Sequence, residues 1–401
     1  MQSLNPSSGR VMGEVAAATV GDVGTALRRA HAAQREWAAA GFAERIAVME
    51  RAAGLLRERA DVLAAVLTAE MGKPLGQARG EVRATAERLI WLARNAEEAA
   101  APREVGVRGG VREMTEYEPL GVVANIGAWN YPYFVASNVL GAALPTGSAV
   151  LFKPSEVTPL TGHVLGELLA DAGVPEGVFT VLQGGKEIGA ALAGSGADGV
   201  FFTGSVAAGR SVAAAAAAAP RLARVGLELG GKDAAYVRAD VEDVAKAAEA
   251  LADGAMYNSG QSCCSVERIF VHEDVAKEFT DALVAKVRSF VVGDPMKKDT
   301  YIGPLALTTQ PDFIEGQLAA SGGKVVRGAV VHPTLAVSGS YCSPAVVVNP
   351  ASDSSLMTQE SFGPVVAVTS VSSDEEAVAA MDRSDFGLAA SVWSADEAAA
   401  R

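Results

Sequence analysis

Residues 121–152, GVVANIGAWNYPYFVASNVLGAALPTGSAVLF, contain no charged side chain. A run of that length could cross a membrane, because about 20 apolar residues span the hydrocarbon core of a bilayer. However, asparagines and prolines interrupt the run, and their backbone breaks and amides would lack hydrogen-bond partners in lipid. The segment is therefore predicted to be buried protein interior, with strands at Val122-Val123-Ala124-Asn125-Ile126 and Ala149-Val150-Leu151-Phe152.

Strands and helices alternate on the C-terminal side of this segment, and a second alternating set begins near residue 233. The apolar pattern predicts helices over 160–172, 205–219, 241–257 and 274–290, and strands at 179–182, 199–202, 268–271 and 345–348. Alternation of this kind predicts parallel sheets covered by helices, which is the α/β class.

On the N-terminal side, apolar residues at helical spacing predict three long helices, over 21–39, 43–70 and 76–100. The character changes in residues 105–119, where valines alternate with polar residues around Gly109-Gly110. That pattern predicts a β-hairpin.

Composition narrows the possible functions. The chain has 401 residues, 49% hydrophobic and 20% charged, so two or more globular domains are expected. Its net charge of −13 argues against nucleic-acid partners and anionic membrane surfaces, which attract basic faces. The N-terminus has no basic region followed by an apolar run, so a secretory signal is not predicted.

Three cysteines, Cys263, Cys264 and Cys342, form an odd and sparse set. Such a set is typical of a reducing compartment rather than of a disulfide framework, so we expect a cytoplasmic protein. The four histidines lack the spacing of a zinc site, and no metal is predicted.

The strongest chemical signal is Asn258-Ser259-Gly260-Gln261-Ser262-Cys263-Cys264. A thiol nucleophile needs a controlled pKa, a base, and donors for the oxyanion that it creates. Cys263 is the candidate nucleophile, Glu228 in Glu228-Leu229-Gly230-Gly231-Lys232 the candidate base, and Asn130 in Trp129-Asn130-Tyr131-Pro132 the candidate donor. Taken singly, the glutamate could be a solvated or paired surface charge and the asparagine a turn residue.

In this order, the motifs resemble those of the aldehyde dehydrogenase superfamily, and the resemblance runs from near residue 5 to residue 401. It implies an α/β, aldehyde dehydrogenase-like fold. Residues 1–100 and 120–229 would form a Rossmann-like NAD-binding domain, 230–401 an α/β catalytic domain, and 101–119 a protruding β-hairpin arm for oligomerisation. Members of the family continue past the position of residue 401, so the catalytic domain is expected to be incomplete at its C-terminus. We expect a homodimer or homotetramer for a full-length form.

The resemblance also implies a set of NAD contacts. Lys153 and Glu156 correspond to residues that hold the adenosine ribose, and a carboxylate there disfavours the 2′-phosphate of NADP. Gly204 and Ser205 open a helix whose N–H groups suit a pyrophosphate. Glu360 corresponds to the residue that binds the nicotinamide ribose. The other implied cofactor contacts are Trp129, Gly185, Leu229, Gly230 and Phe362.

The family lines its substrate tunnel at the positions of Tyr131, Phe134, Ser262 and Cys264, and Tyr133 falls in the same stretch. These residues predict an aromatic wall without an obvious cation for a carboxylate or phosphate. Because Cys264 directly follows Cys263, we expect its side chain to point elsewhere and to form pocket wall. For Cys342 we expect a small buried hydrophobe.

The predicted reaction is NAD-dependent oxidation of an aldehyde to the carboxylic acid. The Cys263 thiolate attacks the aldehyde, Asn130 and the Cys263 N–H stabilise the oxyanion, and water activated by Glu228 hydrolyses the thioester left by hydride transfer. An acylating or phosphate-reducing relative would share the fold and thiol but normally lacks the glutamate. A catalytically silent structural or binding member is a second alternative, which the completeness of the motifs disfavours. The sequence does not identify the aldehyde.

Overall fold

The computed structural model describes residues 1–336 and 340–401. Backbone contacts divide the chain into two compact units, each described by itself. The first contains Met1–Leu4, Val11–Glu70 and Ala78–Leu229, and the second contains Asn5–Arg10, Met71–Gln77 and Gly230–Arg401. The boundary at Leu229 and Gly230 falls inside the Glu-Leu-Gly-Gly-Lys motif. The assignment of the units to cofactor binding and catalysis stays a prediction.

Up to residue 229 the chain forms eight helices and nine strands among the described residues. They are β1 (Gln2–Leu4), β2 (Val11–Glu14), α1 (Val20–Ala39), α2 (Phe42–Glu58), α3 (Ala60–Met71), α4 (Leu75–Ala99), β3 (Arg103–Arg108), β4 (Val111–Thr115), β5 (Val122–Ile126), α5 (Pro132–Ala143), β6 (Ala149–Lys153), α6 (Pro159–Asp171), β7 (Phe179–Val181), α7 (Lys186–Ala193), β8 (Gly199–Thr203), α8 (Val206–Ala217) and β9 (Arg224–Glu228).

The first unit is built on a five-stranded sheet of order β7-β6-β5-β8-β9, in which every neighbouring pair is parallel. Side chains of β5 alternate between its two faces. Val122, Ala124 and Ile126 join a core with α1, α7 and α8, whereas Asn125 donates a hydrogen bond towards α5 at the carbonyl of Ala136. Helices on both faces explain why β5 and β6 are buried throughout.

The uncharged segment 121–152 is thus protein interior: it forms β5, α5 and most of β6. Within residues 1–336 and 340–401, none of the helices combines the length and apolar character that crossing a membrane requires.

The predicted hairpin is present as β3 and β4, which pair antiparallel. Gly109 and Gly110 connect them with φ angles of 56° and 82°. Two successive positive φ values are what a tight two-residue hairpin turn requires, and glycine adopts them without strain. Val105, Val107 and Val111 of this hairpin are exposed.

From residue 230 onward, the described residues add seven helices and six strands, together with a 3₁₀ turn over Tyr257–Gly260. They are β10 (Asp233–Val237), α9 (Val244–Met256), β11 (Val266–His272), α10 (Glu273–Ser289), α11 (Gln310–Ala319), β12 (Lys324–Arg327), α12 (Pro333–Ala336), β13 (Ala345–Val348), α13 (Ser355–Thr358), β14 (Val365–Val371), α14 (Asp374–Met381), β15 (Ala390–Trp393) and α15 (Glu397–Ala400).

The second unit has a six-stranded sheet of order β12-β13-β14-β11-β10-β15. Only the β12–β13 pair is antiparallel. Two apolar cores cover its faces. One contains Leu251 of α9 and Phe279 of α10, and the other contains Ile314 of α11 and Leu356 of α13. This second α/β set agrees with the alternation expected from residue 233 onward.

One prediction about the N-terminal helices is wrong. Residues 43–70 form two helices, α2 and α3, because Arg59 leaves the helical conformation with φ −95° and ψ 12°. Helical hydrogen bonding resumes at once, since Leu63 N–H donates to the carbonyl of Arg59 at 3.0 Å. The break contains no glycine or proline and is only one residue long, so the apolar pattern continues across it.

Candidate active site

Four strands of the first unit deliver predicted site residues to one edge of its sheet. Asn130 follows β5, Glu156 follows β6, Ser205 follows β8, and Glu228 ends β9. Because the carboxyl ends of parallel strands lie at the same edge, these residues share that edge, where ligands of open α/β sheets bind.

Asn130 is buried in the short connection between β5 and α5, flanked by half-buried Trp129 and Tyr131. Pro132 takes the first position of α5, where a missing N–H costs nothing. The Glu81 carboxylate accepts the next two N–H groups, from Tyr133 at 3.0 Å and Phe134 at 3.3 Å. Glu81 therefore fixes the first helical turn beyond Asn130.

The structure brings together Lys153, Glu156 and Gly185, three of the predicted cofactor contacts. The buried Lys153 Nζ donates to the carbonyls of Pro154 at 2.7 Å and Gly184 at 2.9 Å, and lies 3.4 Å from Glu156 Oε2. Burial lowers the pKa of Lys153, an effect that the Glu156 carboxylate partly offsets. Gly185 follows Gly184 and precedes α7.

The start of α8 is joined to the end of β9, because Gly204 N–H donates to the Glu228 carbonyl at 3.0 Å. Ser205 caps α8: its hydroxyl accepts from Ala208 N–H at 3.3 Å. The Glu228 side chain is exposed in its unit and forms no hydrogen bond or ion pair with another described residue. Half-buried Leu229 ends the unit.

Two features around the predicted substrate wall differ from the sequence-based expectation. Tyr133 is fully buried and its hydroxyl donates to the Leu63 carbonyl at 3.3 Å, so it is a core residue and not wall. In addition, the guanidinium of Arg88 lies 5.2 Å from the centroid of the Phe134 ring, so the surroundings of Phe134 include a cation. Arg88 lies on α4, far away in sequence, and no local pattern marks it.

In the second unit, the nucleophile motif starts with a left-handed backbone. Asn258, Ser259 and Gly260 have φ angles of 57°, 57° and 71° and are buried. Only glycine adopts such angles without cost, so the asparagine and serine store strain. A Cβ on Gly260 would lie 2.1 Å from the carbonyl oxygen of Gly363, which also excludes any other residue there.

The same unit brings the nucleophile beside two other motifs. A Cβ on Gly231 would lie 2.1 Å from the Cys263 carbonyl oxygen, so the Gly-Gly pair permits this close approach. Gly231 N–H donates to Glu360 at 2.9 Å, and Gly230 lies against the same carboxylate. Burial raises the pKa of Glu360 to about 7.

A buried charge network, which the sequence analysis missed, fixes this arrangement. The Glu267 carboxylate accepts N–H groups from Ser361 at 2.9 Å and Phe362 at 3.0 Å, and it pairs with the Lys232 ammonium. Lys232 also donates to the Ser361 hydroxyl at 3.0 Å. Burial lowers the pKa of Lys232, and the Glu267 charge opposes that shift. Lys232 belongs to the Glu-Leu-Gly-Gly-Lys motif, whereas Glu267 lies in a strand whose sequence contains no functional motif.

The expectation that Cys264 points away from Cys263 and forms pocket wall stays a prediction. Ser265 N–H donates to the Ser262 carbonyl at 3.1 Å, so these residues form a turn, in which neighbouring side chains need not alternate as in a strand. The adjacent Cys263 and Cys264 thiols affect each other's ionisation. The Ser262 hydroxyl lies 3.4 Å from the Cys264 sulfur, which is exposed.

The two adjacent thiols differ in how readily they ionise. Interaction with the Cys263 side chain lowers the pKa of Cys264 to about 5. Interaction with Cys264 and then burial raise the pKa of Cys263. Because the two thiols influence each other, these shifts belong to the pair: a first thiolate forms readily and a second does not.

Cys342 is a different kind of thiol: it is buried in an apolar core, and burial raises its pKa to about 12. The described ranges contain no group of three or more histidine, cysteine, aspartate or glutamate side chains arranged to hold a metal ion.

Comparisons with known proteins agree with one another. The model of the family described as "Aldehyde dehydrogenase family" matches residues 1–401. The γ-glutamyl-γ-aminobutyraldehyde dehydrogenase of Burkholderia cenocepacia J2315 is 33% identical, with a TM-score of 0.95 over 100% of this chain and 81% of its own. A mutant of the P. syringae indole-3-acetaldehyde dehydrogenase, solved with NAD⁺, is 31% identical and has a TM-score of 0.96. The match covers 100% of this chain and 82% of the mutant's chain. A 3,6-anhydro-L-galactose dehydrogenase in complex with NADP is 32% identical and has a TM-score of 0.94. The match covers 99% of this chain and 84% of that enzyme's chain.

Replacing Cys264 with alanine should lower the pKa of the Cys263 thiol towards the ordinary value of about 8.5, because the neighbouring thiol that opposes its ionisation is lost. The rate at which iodoacetamide alkylates Cys263, followed by peptide mapping from pH 5 to 10, reports this pKa. Below pH 7 the variant should react faster at Cys263, by about tenfold for each unit by which the pKa of Cys263 falls. The Cys342→Ala variant is the control and should keep the wild-type profile. Identical profiles for Cys264→Ala and wild type would show that the thiols titrate independently.

Proposed function

The chain belongs to the aldehyde dehydrogenase family, and we propose that it oxidises an aldehyde to the carboxylic acid through Cys263, with NAD as the hydride acceptor. Family membership and the α/β fold confirm what the sequence predicted. One observation carries the proposal: the Cys263 carbonyl packs against Gly231, whose N–H holds Glu360, the residue predicted to bind the nicotinamide ribose. The nucleophile and a predicted cofactor ligand are thereby positioned by one glycine of the same unit.

The residues of the first unit fit a dinucleotide. Lys153 and Glu156 present a cation and a half-exposed carboxylate 3.4 Å apart, a pair suited to the two hydroxyls of a ribose. The first turn of α8, after Gly204 and Ser205, offers N–H groups of the kind that bind a pyrophosphate. NAD, when bound, would supply the acceptor for hydride.

The protein groups would then carry the remaining chemistry. The Cys263 thiolate forms a bond to the aldehyde carbon, and the carbonyl oxygen gains the negative charge. The Asn130 amide and the Cys263 N–H donate to that oxygen. Departure of hydride from the carbon leaves a thioester. Glu228 takes a proton from water, the hydroxide adds to the thioester, and the thiolate leaves with release of the carboxylic acid. Overall, an aldehyde, NAD⁺ and water give a carboxylic acid, NADH and a proton.

The identity of the aldehyde does not follow from the relatives. Proteins named for γ-glutamyl-γ-aminobutyraldehyde, indole-3-acetaldehyde and 3,6-anhydro-L-galactose all lie between 31% and 33% identity to this chain. Substrates so different in charge and size indicate that specificity is set by a few local residues. An acylating relative is disfavoured, because Glu228 supplies the base that hydrolysis needs.

We also propose a cytoplasmic homo-oligomer. Three thiols without a disulfide suit a reducing compartment. The hairpin of β3 and β4 exposes Val105, Val107 and Val111, together with the unpaired edges of a two-stranded ribbon. Such an apolar edge favours pairing with another strand, which a second copy of the protein would supply.

Replacing Glu228 with glutamine should slow release of the acid more than hydride transfer, because only hydrolysis of the thioester needs the base. Stopped-flow recording of NADH should show a burst close to one equivalent per active site, followed by steady turnover about 10²–10⁴ times slower than in the wild type. Glu242→Gln, at an exposed glutamate, is the control and should behave as wild type. An unchanged steady-state rate in Glu228→Gln would rule out the assignment.

Replacing Glu156 with glutamine should narrow the preference for NAD over NADP. In the wild type the Glu156 carboxylate would repel a 2′-phosphate, and 1.4 kcal/mol of repulsion already corresponds to a tenfold preference. The ratio of kcat/KM for the two cofactors is the measurement, and Glu167→Gln, at an exposed glutamate of α6, is the matched control. Equal use of NAD and NADP by the wild type would show that Glu156 does not face the 2′ position.

A further inference from the structure

Two cysteines that are adjacent in the chain, Cys263 and Cys264, differ in their access to solvent. Cys263 is half-buried, Cys264 is exposed, and both are free thiols. The proposed oxidation of an aldehyde uses the sulfur of Cys263 and gives the second thiol no chemical role. The third cysteine, Cys342, is buried in an apolar core. Cys264 is therefore the thiol that a reagent in solution reaches first.

The two thiols lie in a turn. Ser265 N–H donates to the Ser262 carbonyl at 3.1 Å, and the Ser262 hydroxyl lies 3.4 Å from the sulfur of Cys264. Side chains of adjacent residues point to opposite faces in a strand, but a turn does not impose that alternation. Interaction with Cys263, and also with Ser262, lowers the pKa of Cys264 to about 5. At neutral pH the exposed sulfur is therefore a thiolate, the form of cysteine that reacts with oxidants.

Two carboxylates face the thiols. A Cβ on Gly231 would lie 3.0 Å from Asp233 Oδ1 and 2.1 Å from the Cys263 carbonyl oxygen, so Asp233 lies beside the backbone of the nucleophile. Asp233 is buried, and its Oδ2 has no hydrogen-bond partner among the described residues. Glu360 accepts the N–H of the same glycine at 2.9 Å. When ionised, both carboxylates repel anionic reagents such as glutathione disulfide, which favours small uncharged oxidants at Cys264.

We propose that Cys263 and Cys264 form a site of reversible oxidation, at which a hydroperoxide converts the two thiols into a disulfide. The Cys264 thiolate attacks one peroxide oxygen, and the O–O bond breaks. Cys264 becomes a sulfenic acid, and the rest of the peroxide takes up a proton and leaves as water or an alcohol. The Cys263 sulfur then attacks the Cys264 sulfur, the S–O bond breaks, and the hydroxyl leaves with the Cys263 proton as water. Overall, the two thiols lose two electrons and one hydroperoxide is reduced.

The spacing of adjacent residues makes such a disulfide easy to reduce. Neighbouring Cα atoms lie about 3.8 Å apart across a trans peptide, whereas disulfides usually join Cα atoms about 4.4–6.8 Å apart. The bond would be strained as well as exposed, and disulfides of that kind are reduced readily by other thiols. While it lasts, the disulfide occupies the Cys263 sulfur and keeps it from further oxidation to the sulfinic acid, which thiols do not reverse. Its effect on activity rests on the proposed function, since it would stop aldehyde oxidation until a thiol reduces it.

The test treats the full chain with hydrogen peroxide, without aldehyde or NAD, labels free thiols with N-ethylmaleimide, and maps the peptides by mass spectrometry. In the wild type, the peptide with both cysteines should lack two hydrogens and carry no label, and dithiothreitol should restore labelling of both. In Cys264→Ala, Cys263 should collect sulfinic acid that dithiothreitol does not remove. At equal loss of the Cys263 thiol, this irreversible fraction should be at least about tenfold larger than in wild type, because no neighbouring thiol captures the sulfenic acid. Cys342→Ala is the control and should behave as wild type.

An equal irreversible fraction in wild type and Cys264→Ala would overturn the proposal. A wild type whose two thiols stay labelled, or are oxidised without the loss of two hydrogens, would do the same. A disulfide that joins two chains, visible as a dimer on a non-reducing gel, would refute the pairing of adjacent cysteines. Equal thermal unfolding midpoints of the reduced proteins verify that the variants are folded. Because the readout needs no turnover, a wild type that forms the disulfide but oxidises no aldehyde supports the site and contradicts only the proposed function.

Discussion

The arrangement of the motifs in the second unit depends on the contacts of one buried carboxylate, that of Glu267. It lies in β11, the strand that leaves the turn containing Cys263, and it binds the Lys232 ammonium and the N–H groups of Ser361 and Phe362. One side chain therefore connects the nucleophile segment to both of the other motifs in its unit. Removing one partner of such a buried pair leaves an uncompensated charge, which typically costs about 3–5 kcal/mol. The network matters because it holds these segments in place; burying two charges contributes little net stability.

The contacts of Glu267 allow the backbone segments around Cys263 to approach one another closely. With the Lys232 and Ser361 segments held to β11, Gly231 meets the Cys263 carbonyl and Gly260 meets the Gly363 carbonyl at distances that no side chain permits. The left-handed Asn258 and Ser259 are part of the same constraint, because they bend the chain into the nucleophile turn. Strain held in place by surrounding contacts is typical of segments that position reacting groups. The same turn carries Cys264 directly after Cys263, and interaction with Cys263 lowers the pKa of Cys264.

The fold class, the hairpin and the family were predictable from the sequence, because they depend on the periodicity of apolar residues and on contiguous motifs. The alternation of predicted strands and helices predicted the α/β class, and Gly109-Gly110 between alternating valines predicted the hairpin. The nucleophile motif and its companions identified the family, which the comparisons confirm. What sequence could not give depends on contacts between distant residues. Glu267 and Arg88 carry no local signature, and they contact Ser361 and Phe134, which are far from them along the chain. The prediction for Tyr133 was wrong because the direction of its side chain depends on how the helix starts, which a motif does not encode.

The central claim is that Cys263, and not its neighbour Cys264, forms the covalent bond to the substrate. The most direct measurement is tandem mass spectrometry of the Glu228→Gln protein, quenched in acid during turnover with an aldehyde and NAD. Cys263 and Cys264 are adjacent, so fragment ions that separate them are required. The account predicts an acyl group on Cys263 in the fragment series, with Cys264 unmodified. An acyl group found on Cys264, or a protein that turns over without any acylated cysteine, would contradict it.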